Sequence, residues 1–387
     1  MKRIAIVGAS ASGIYLALDL LTKHQDFEVT LFDHEEKLGK KIAATGNGRC
    51  NILHDNPLPE NYDHPEIFKS FLQRIPFSSL KEKLIEWGIP LKREGDLYYP
   101  LSESAPSLVR YLWHNLTALG AKLRLGEKAL DYSTHPNGVA LLTSEGEEAF
   151  DYLVFAVGGK SGKNLGSDGS LFSVFERHGY QIQSMVPVLC PIRTKEHFPS
   201  LQGLRVNGTV RIKGRDTPFE KSGQILFKKD GLSGIVIFDA SIYLAQKGYK
   251  GIEIVLDLFP HETFQSLKEK LRKDSIHPHF LEAYFPLELA RHFENIVTKQ
   301  GVDGLVSTLK HWAFHYEENY PFSDAQVTMG GISLNDVDLR TLSSKKEERV
   351  SFVGECLDMA GECGGYNLTW CLLSALIASE ALDAVLC

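Results

Sequence analysis

Six residues, Gly8-Ala9-Ser10-Ala11-Ser12-Gly13, follow the apolar tetrad Ile4-Ala5-Ile6-Val7 without a spacer, and an acid, Asp33, stands twenty positions beyond Gly13. A turn without bulky side chains lets backbone amides approach a pyrophosphate, and the helix behind it presents its positive N-terminus to the same charge. A carboxylate at that distance is placed to accept hydrogen bonds from a ribose. Gly8, Ser10, Ala11, Ser12, Gly13 and Asp33 are therefore candidate dinucleotide-binding residues. Ser10 stands where such turns usually have their second glycine, so its Cβ and hydroxyl must bond the phosphate or push it slightly away.

Three further stretches could do chemistry. GKKIAATGNGRCN, Gly39 to Asn51, combines glycines, paired lysines, an arginine and an amide, which suits an anionic ligand better than a core element. Gly158-Gly159 ends an apolar run, Asp151 to Val157, as a second glycine-rich strand end. Its continuation, GGKSGKN, is not a nucleoside-triphosphate loop: Val157 replaces the first glycine and Asn164 replaces the magnesium-binding hydroxyl. Near the C-terminus, Gly354-Glu355 ends the strand Val350 to Val353, and Gly364-Gly365-Tyr366-Asn367 opens a helix running to about Ala384. An acid at a strand tip can hold a polyol. A glycine-led helix start can hold developing negative charge, as on the N1/C2 edge of reduced flavin. FAD fits this combination better than NAD.

The elements around these residues are those of an α/β chain. The first thirty-three residues read as strand, glycine turn, helix (apolar Ile14, Leu16, Ala17, Leu18, Leu20, Leu21) and strand (Val29 to Phe32). Amphipathic helices are expected over Pro65 to Gly88 and Ser107 to Leu119, and strands over Lys122 to Leu130 and Val139 to Thr143. Between about Met185 and Pro260 short strands predominate: Val206 to Ile212, Gln224 to Phe227, Ile235 to Phe238 and Ile252 to Leu258. From His261 to Tyr320 the pattern turns helical, with Leu305, Leu309 and Trp312 as one of its stripes.

A net charge of −7 gives no electrostatic footprint for nucleic acid. Lys2-Arg3 before an apolar stretch imitates a signal peptide, but cleavage there would destroy the strand–turn–helix unit. Leu368 to Ala378 is half a membrane span and reads as a buried helix. Cys50, Cys190, Cys356, Cys363, Cys371 and Cys387 contain no CxxC pair or zinc spacing, which fits free thiols in a reducing cytoplasm. His311 and His315 have the i,i+4 spacing of a zinc helix but lack the intervening glutamate. No metal, membrane or nucleic-acid partner is expected.

At GKKIAATGNGRCN the chain resembles bacterial FAD-binding oxidoreductases of the aminoacetone-oxidase-like and BaiN-like type, within the glutathione-reductase-like flavoprotein superfamily. GDLYYPLSESA (Gly95 to Ala105), GSDG (Gly166 to Gly169), GQILFKKDGLSG (Gly223 to Gly234), VTMGGI (Val327 to Ile332) and GECLDMAGECGGYNL (Gly354 to Leu368) resemble that family's later blocks in the same order. The resemblance implies a discontinuous Rossmann-like FAD domain, 1–185 with 322–387. A β-rich, barrel-like domain (186–260) and a small helical domain (261–321) are inserted in it. It also implies roles for individual residues. Gly8, Ser10, Ala11, Ser12 and Gly13 face the pyrophosphate, Asp33 the adenosine ribose, and Ala129 gives adenine a backbone partner. Lys41, Gly48, Arg49, Cys50 and Asn51 line the flavin half, Gly354 and Glu355 contact the ribityl-phosphate region, and Tyr366, Asn367 and Leu368 offer N–H groups to the isoalloxazine. Ser10, Val157, Lys228-Lys229 and Ile235 depart from the family's usual glycine, threonine, Thr-His and proline.

The expected activity is two-electron transfer between flavin N5 and a small carbonyl, enone or amine, with NAD(P)H a candidate transient donor. Arg49 is a candidate to orient a substrate carboxylate or carbonyl, or else to clamp a phosphate or backbone carbonyl. Cys50 is a redox thiol or a buried small residue. The alternatives are an NAD(P)-dependent dehydrogenase using the first βαβ unit, and a flavin-holding sensor without turnover.

Overall fold

The computed structural model describes residues 1–214 and 218–386. Its chain divides into two compact units, residues 1–187 with 326–387, and residues 188–325.

In the first unit five parallel strands lie in the order Val350–Phe352, Tyr152–Phe155, Lys2–Val7, Phe27–Asp33, Lys122–Leu125. The central strand is covered on both faces, which is why Ile4 to Val7 are apolar without alternation and all buried. Helix Ala11–Lys23 starts directly after the turn and packs against the C-terminal helix Tyr366–Leu386. That last helix is long and apolar enough to cross a membrane by length and composition. Its side chains from Trp370 to Leu382 lie mainly in the core of this unit, as expected of the buried helix read from the sequence. An antiparallel meander, Ala129–His135, Gly138–Thr143 and Gly146–Phe150, leads into Tyr152–Phe155.

The second unit is a closed barrel of strands Ile192–Thr194, Gly231–Ser233, Phe219–Lys228, Arg205–Ile212, Glu253–Asp257 and Trp312–Asn319. The segments read as separate β-rich (186–260) and helical (261–321) domains fold together here. Trp312–Asn319, drawn from the helical segment, pairs with both Ile192–Thr194 and Glu253–Asp257. Leu289, Phe293 and Leu305 of helix Leu287–Lys310 share one core with Ile254, Leu256 and Phe314 of the barrel. Trp312 is thus a strand residue and not the end of a helical stripe.

Ile235 to Phe238 is a second correction. It opens a helix, Ile235–Lys247, where a strand was expected. A short β-branched run does not distinguish the two states by itself. Gly234, at φ +106°, is the N-cap between the preceding strand and this helix, and it must be glycine, because a Cβ there would sit 2.3 Å from the Gln224 carbonyl oxygen. Val236, Ile237, Ala240 and Leu244 then bury the helix face while Ile235 stays exposed.

Candidate functional site

The glycine turn is shaped by backbone contacts. Gly8 has φ +113°, and a Cβ there would lie 2.2 Å from the Ala156 carbonyl oxygen; one at Gly13 would lie 1.9 Å from the Gly8 oxygen. The first glycine lets the neighbouring strand end come close, and the second lets the helix rest on the turn. Ser10 is the N-cap residue of helix Ala11–Lys23, but its hydroxyl caps no amide of the helix.

Asp33, at the end of its strand, is held by backbone donors on both oxygens. Ala9 N–H donates to Oδ2 at 2.7 Å and Glu35 N–H to Oδ1 at 2.9 Å. Burial is the largest influence on its carboxyl and outweighs those bonds, so its pKa lies above the ordinary value. Asp33 lines a cleft with Gly8, His34, Glu127, Ala129 and Asp168. The two residues assigned to the adenosine half, Asp33 and Ala129, therefore share one recess.

The far end of the chain returns to the same turn. Gly354 has φ +76°, and a Cβ on it would lie 1.9 Å from Ser12 Oγ. Its N–H donates to Ser374 Oγ at 3.0 Å, and Trp370 Nε1 donates to its carbonyl at 3.1 Å. Next to it, Glu355 Oε2 accepts from Lys41 Nζ at 2.6 Å, an ion pair between residues 314 positions apart. Glu355 Oε1 accepts from Thr328 N–H at 2.9 Å.

Thr328 was not singled out in the sequence. Its Oγ1 accepts from Lys160 N–H (2.8 Å) and Ser161 N–H (2.9 Å) and donates to Ser161 Oγ (3.0 Å). It thereby fixes the loop after Gly158-Gly159, where a Cβ on Gly159 would meet Thr328 Oγ1 at 2.4 Å. Gly158 itself has φ +70°. The only sequence signal for Thr328 was its place inside VTMGGI.

In the loop Gly39 to Asn51, Gly46, Asn47, Gly48 and Cys50 all have positive φ. Cys50 is fully buried, and burial pushes its thiol up to about 11, so it carries almost no thiolate at neutral pH. Gly46 sits against Asn51, and Asn51 O lies near Gly365, where a Cβ would approach it to 3.2 Å. Arg49 is engaged elsewhere: its guanidinium bonds Glu94 (2.7 Å) and Glu103 (2.8 Å) and lies over the Tyr99 ring at 4.3 Å. Its side chain thus joins this loop to two acids of the neighbouring hairpin and loop.

Tyr366 is buried, stacked on His54 at 4.5 Å, and its carbonyl accepts from Tyr62 O–H at 2.8 Å. The Asn367 side chain clamps the loop before it, accepting from Gly361 N–H (2.9 Å) and donating to Gly361 O (2.7 Å). Thr369 N–H to Gly365 O, 2.9 Å, opens the helical ladder, so the amides of Asn367 and Leu368 precede it. His311 and His315 do not meet: the first caps a helix beside Glu253 (3.3 Å), and the second lies on a strand beside Glu196 (2.6 Å).

The sequence pattern described as the HI0933-like protein Rossmann domain matches residues 2–381. The 3-dehydro-bile acid delta(4,6)-reductase of Clostridium scindens is 29% identical, over 98% of this chain and 99% of that one. The ribosomal RNA dihydrouridine synthase of Escherichia coli is 26% identical, over 98% and 97%. Among solved structures, the 3-ketosteroid-delta4-(5alpha)-dehydrogenase of Rhodococcus jostii RHA1 is similar with a TM-score of 0.49 and 12% identity, over 98% of this chain and 96% of that one.

Proposed function

Because the chain belongs to the HI0933-like family of FAD-binding Rossmann oxidoreductases, we propose that it holds FAD noncovalently and reduces a carbon–carbon double bond conjugated to a carbonyl. The observation that carries the reading is the meeting of both chain ends at one turn, Ser12 against Gly354 with Lys41 bonded to Glu355 at 2.6 Å. The residues fit the cofactor. Gly8, Ser10, Ala11, Ser12 and Gly13 would hold the pyrophosphate through amides and the helix N-terminus. Each Asp33 oxygen accepts one backbone bond and keeps a lone pair for a ribose hydroxyl. Ala129 lies in the same cleft for adenine.

Gly354 and Glu355 would face the ribityl chain, with Lys41 orienting the Glu355 carboxylate through their 2.6 Å contact. The Asn367 and Leu368 amides, at the helix N-terminus, would donate to an electron-rich carbonyl edge. Bound flavin supplies the two-electron chemistry; the protein supplies orientation, water exclusion and electrostatics. Cys50, whose buried thiol is raised to about 11, is not assigned to electron transfer, and Arg49, held by two surface acids, is not assigned to the substrate.

The bond class comes from the two relatives, whose names specify a delta(4,6)-reductase and a dihydrouridine synthase. The net charge of −7 favours a small molecule over RNA. The test is the absorbance of purified protein, the identity of flavin released on denaturation, and anaerobic bleaching by NADH and NADPH followed by a panel of enones, free uridine and ribosomal RNA. FAD at one equivalent, bleached by NADPH and reoxidised by an enone, is the expected result. Colourless folded protein that refuses added FAD would sink the proposal. Reoxidation by dioxygen alone, with peroxide formed after reduction by an amine, would make it an oxidase instead.

A further inference from the structure

Helix Pro65–Arg74 is entered through Tyr62, Asp63 and His64, and the segment before the C-terminal helix runs beside that entry. Asp63 N–H donates to Ala360 O at 3.0 Å, and Ala360 N–H donates to Asp63 Oδ1 at 2.9 Å. The other carboxylate oxygen, Oδ2, is sealed from solvent and has no hydrogen-bond partner. His64 Nε2 lies 3.2 Å from Asp358 Oδ2. One ligand atom from each of Asp63, His64 and Asp358 lies within 4.8 Å of the other two.

From this geometry we propose that Asp63, His64 and Asp358 bind one divalent cation of the zinc type. An ordinary His–Asp ion pair accounts for the 3.2 Å contact but leaves the sealed Asp63 oxygen unexplained. A cation seated among the three side chains would account for the contact and could give that oxygen a partner. Nitrogen and oxygen ligands at about 2.0–2.2 Å from a tetrahedral ion sit a little over 3 Å apart, the separation of His64 Nε2 and Asp358 Oδ2. Two carboxylates and an imidazole suit zinc, with manganese next and magnesium a poor match to the nitrogen. Three protein ligands leave the fourth position to water.

The cation would tie the stretch 358–362, just ahead of Gly364 to Asn367, to the start of helix Pro65–Arg74. Metal-ligand spacing could not show it in the sequence, because His64 and Asp358 are 294 positions apart. The proposal does not depend on the redox reading. The other such group among the described residues, His279, Glu282 and Glu294, is largely exposed and has no sealed oxygen, so it serves as a control.

The test is calorimetric titration of the full-length holoprotein, after chelator treatment, with zinc, manganese and magnesium chlorides. Wild type, His64→Gln, Asp358→Asn and His279→Gln are compared, each with its thermal midpoint. Wild type and His279→Gln should take up one tight equivalent of zinc and gain thermal stability from it. His64→Gln and Asp358→Asn should lose that equivalent, or bind it at least tenfold more weakly, and gain nothing in midpoint. His64 is partly exposed, so its variant decides the matter if Asp358→Asn fails to fold. No tight equivalent in wild type, an unchanged isotherm in His64→Gln, or tighter binding of magnesium than zinc would overturn the proposal.

Discussion

Gly354 and Ser12 show how finely single atoms are balanced where the chain ends meet. Alanine at 354 would carry two penalties: a left-handed backbone at φ +76°, and a Cβ 1.9 Å from Ser12 Oγ. The first costs about 1–2 kcal/mol and the second adds roughly 1–3. Gly354→Ala should therefore destabilise strongly in urea titration. Ser12→Gly in the same chain removes the collision and leaves the backbone term, so the double variant should recover part of the loss; a double variant no more stable than the single one would contradict this contact. Cys50 makes a second case, in which burial raises a thiol to about 11. The folded protein keeps that proton more tightly than the unfolded chain, whose thiol titrates near 8.5. The stabilising contribution is complete below about pH 8.5 and fades as pH rises through 11. Between pH 7.5 and 10.5 wild type should lose roughly 2–3 kcal/mol more than Cys50→Ala, read from urea midpoints at each pH. Parallel curves for the two proteins would show that this thiol does not resist ionisation.

Thr328 sits where three elements of the first unit are joined, and its hydroxyl serves two backbone amides at once. Thr328→Val keeps the shape and strands the Lys160 and Ser161 N–H groups, a loss of roughly 2–6 kcal/mol at about 1–3 per group. Thr328→Ser keeps the oxygen and should stay within about 1 kcal/mol of wild type; equal losses in the two variants would mean packing, not hydrogen bonding, is what Thr328 provides. Elements of this kind divide what the sequence reveals from what it hides. The strand, turn, helix and acid from Ile4 to Asp33 are legible because they are consecutive and the Asp33 amide donors, Ala9 and Glu35, are local or one strand away. Thr328 is silent because its partners lie 167 and 168 positions back. The partners of Arg49 are hidden for the same reason: its charge is visible, but Glu94 and Glu103, which pair with it, come from a hairpin and loop that composition cannot position. Ile235 and Trp312 show the limit of periodicity, since β-branched and aromatic residues fill buried helix and strand faces alike.

For the molecule as a whole, the chain leaves the first unit along Ile182–Val188 and returns along Val327–Ile332, and these two strands pair with each other. Ser333 N–H donates to Gln181 O at 2.9 Å, and a Cβ on Gly330 would lie 2.4 Å from Ser184 O, so departure and return run side by side. The first unit has its own continuous core, from Ile4 through Phe155 and Phe352 to the last helix, and the barrel has another. A short connection between the paired strands therefore closes only a small loop, at little entropic cost. Replacing residues 189–325 by a brief Gly/Ser turn should leave a protein that unfolds cooperatively and, on the proposed reading, still holds FAD. Deleting 366–387 instead removes the helix packed on Ala11–Lys23 and should abolish both folding and flavin retention. The two truncated proteins are compared by urea titration and flavin absorbance. An excised protein that is unfolded would mean that the sheet and its terminal helix need the inserted barrel to fold, and that the first unit is not self-sufficient.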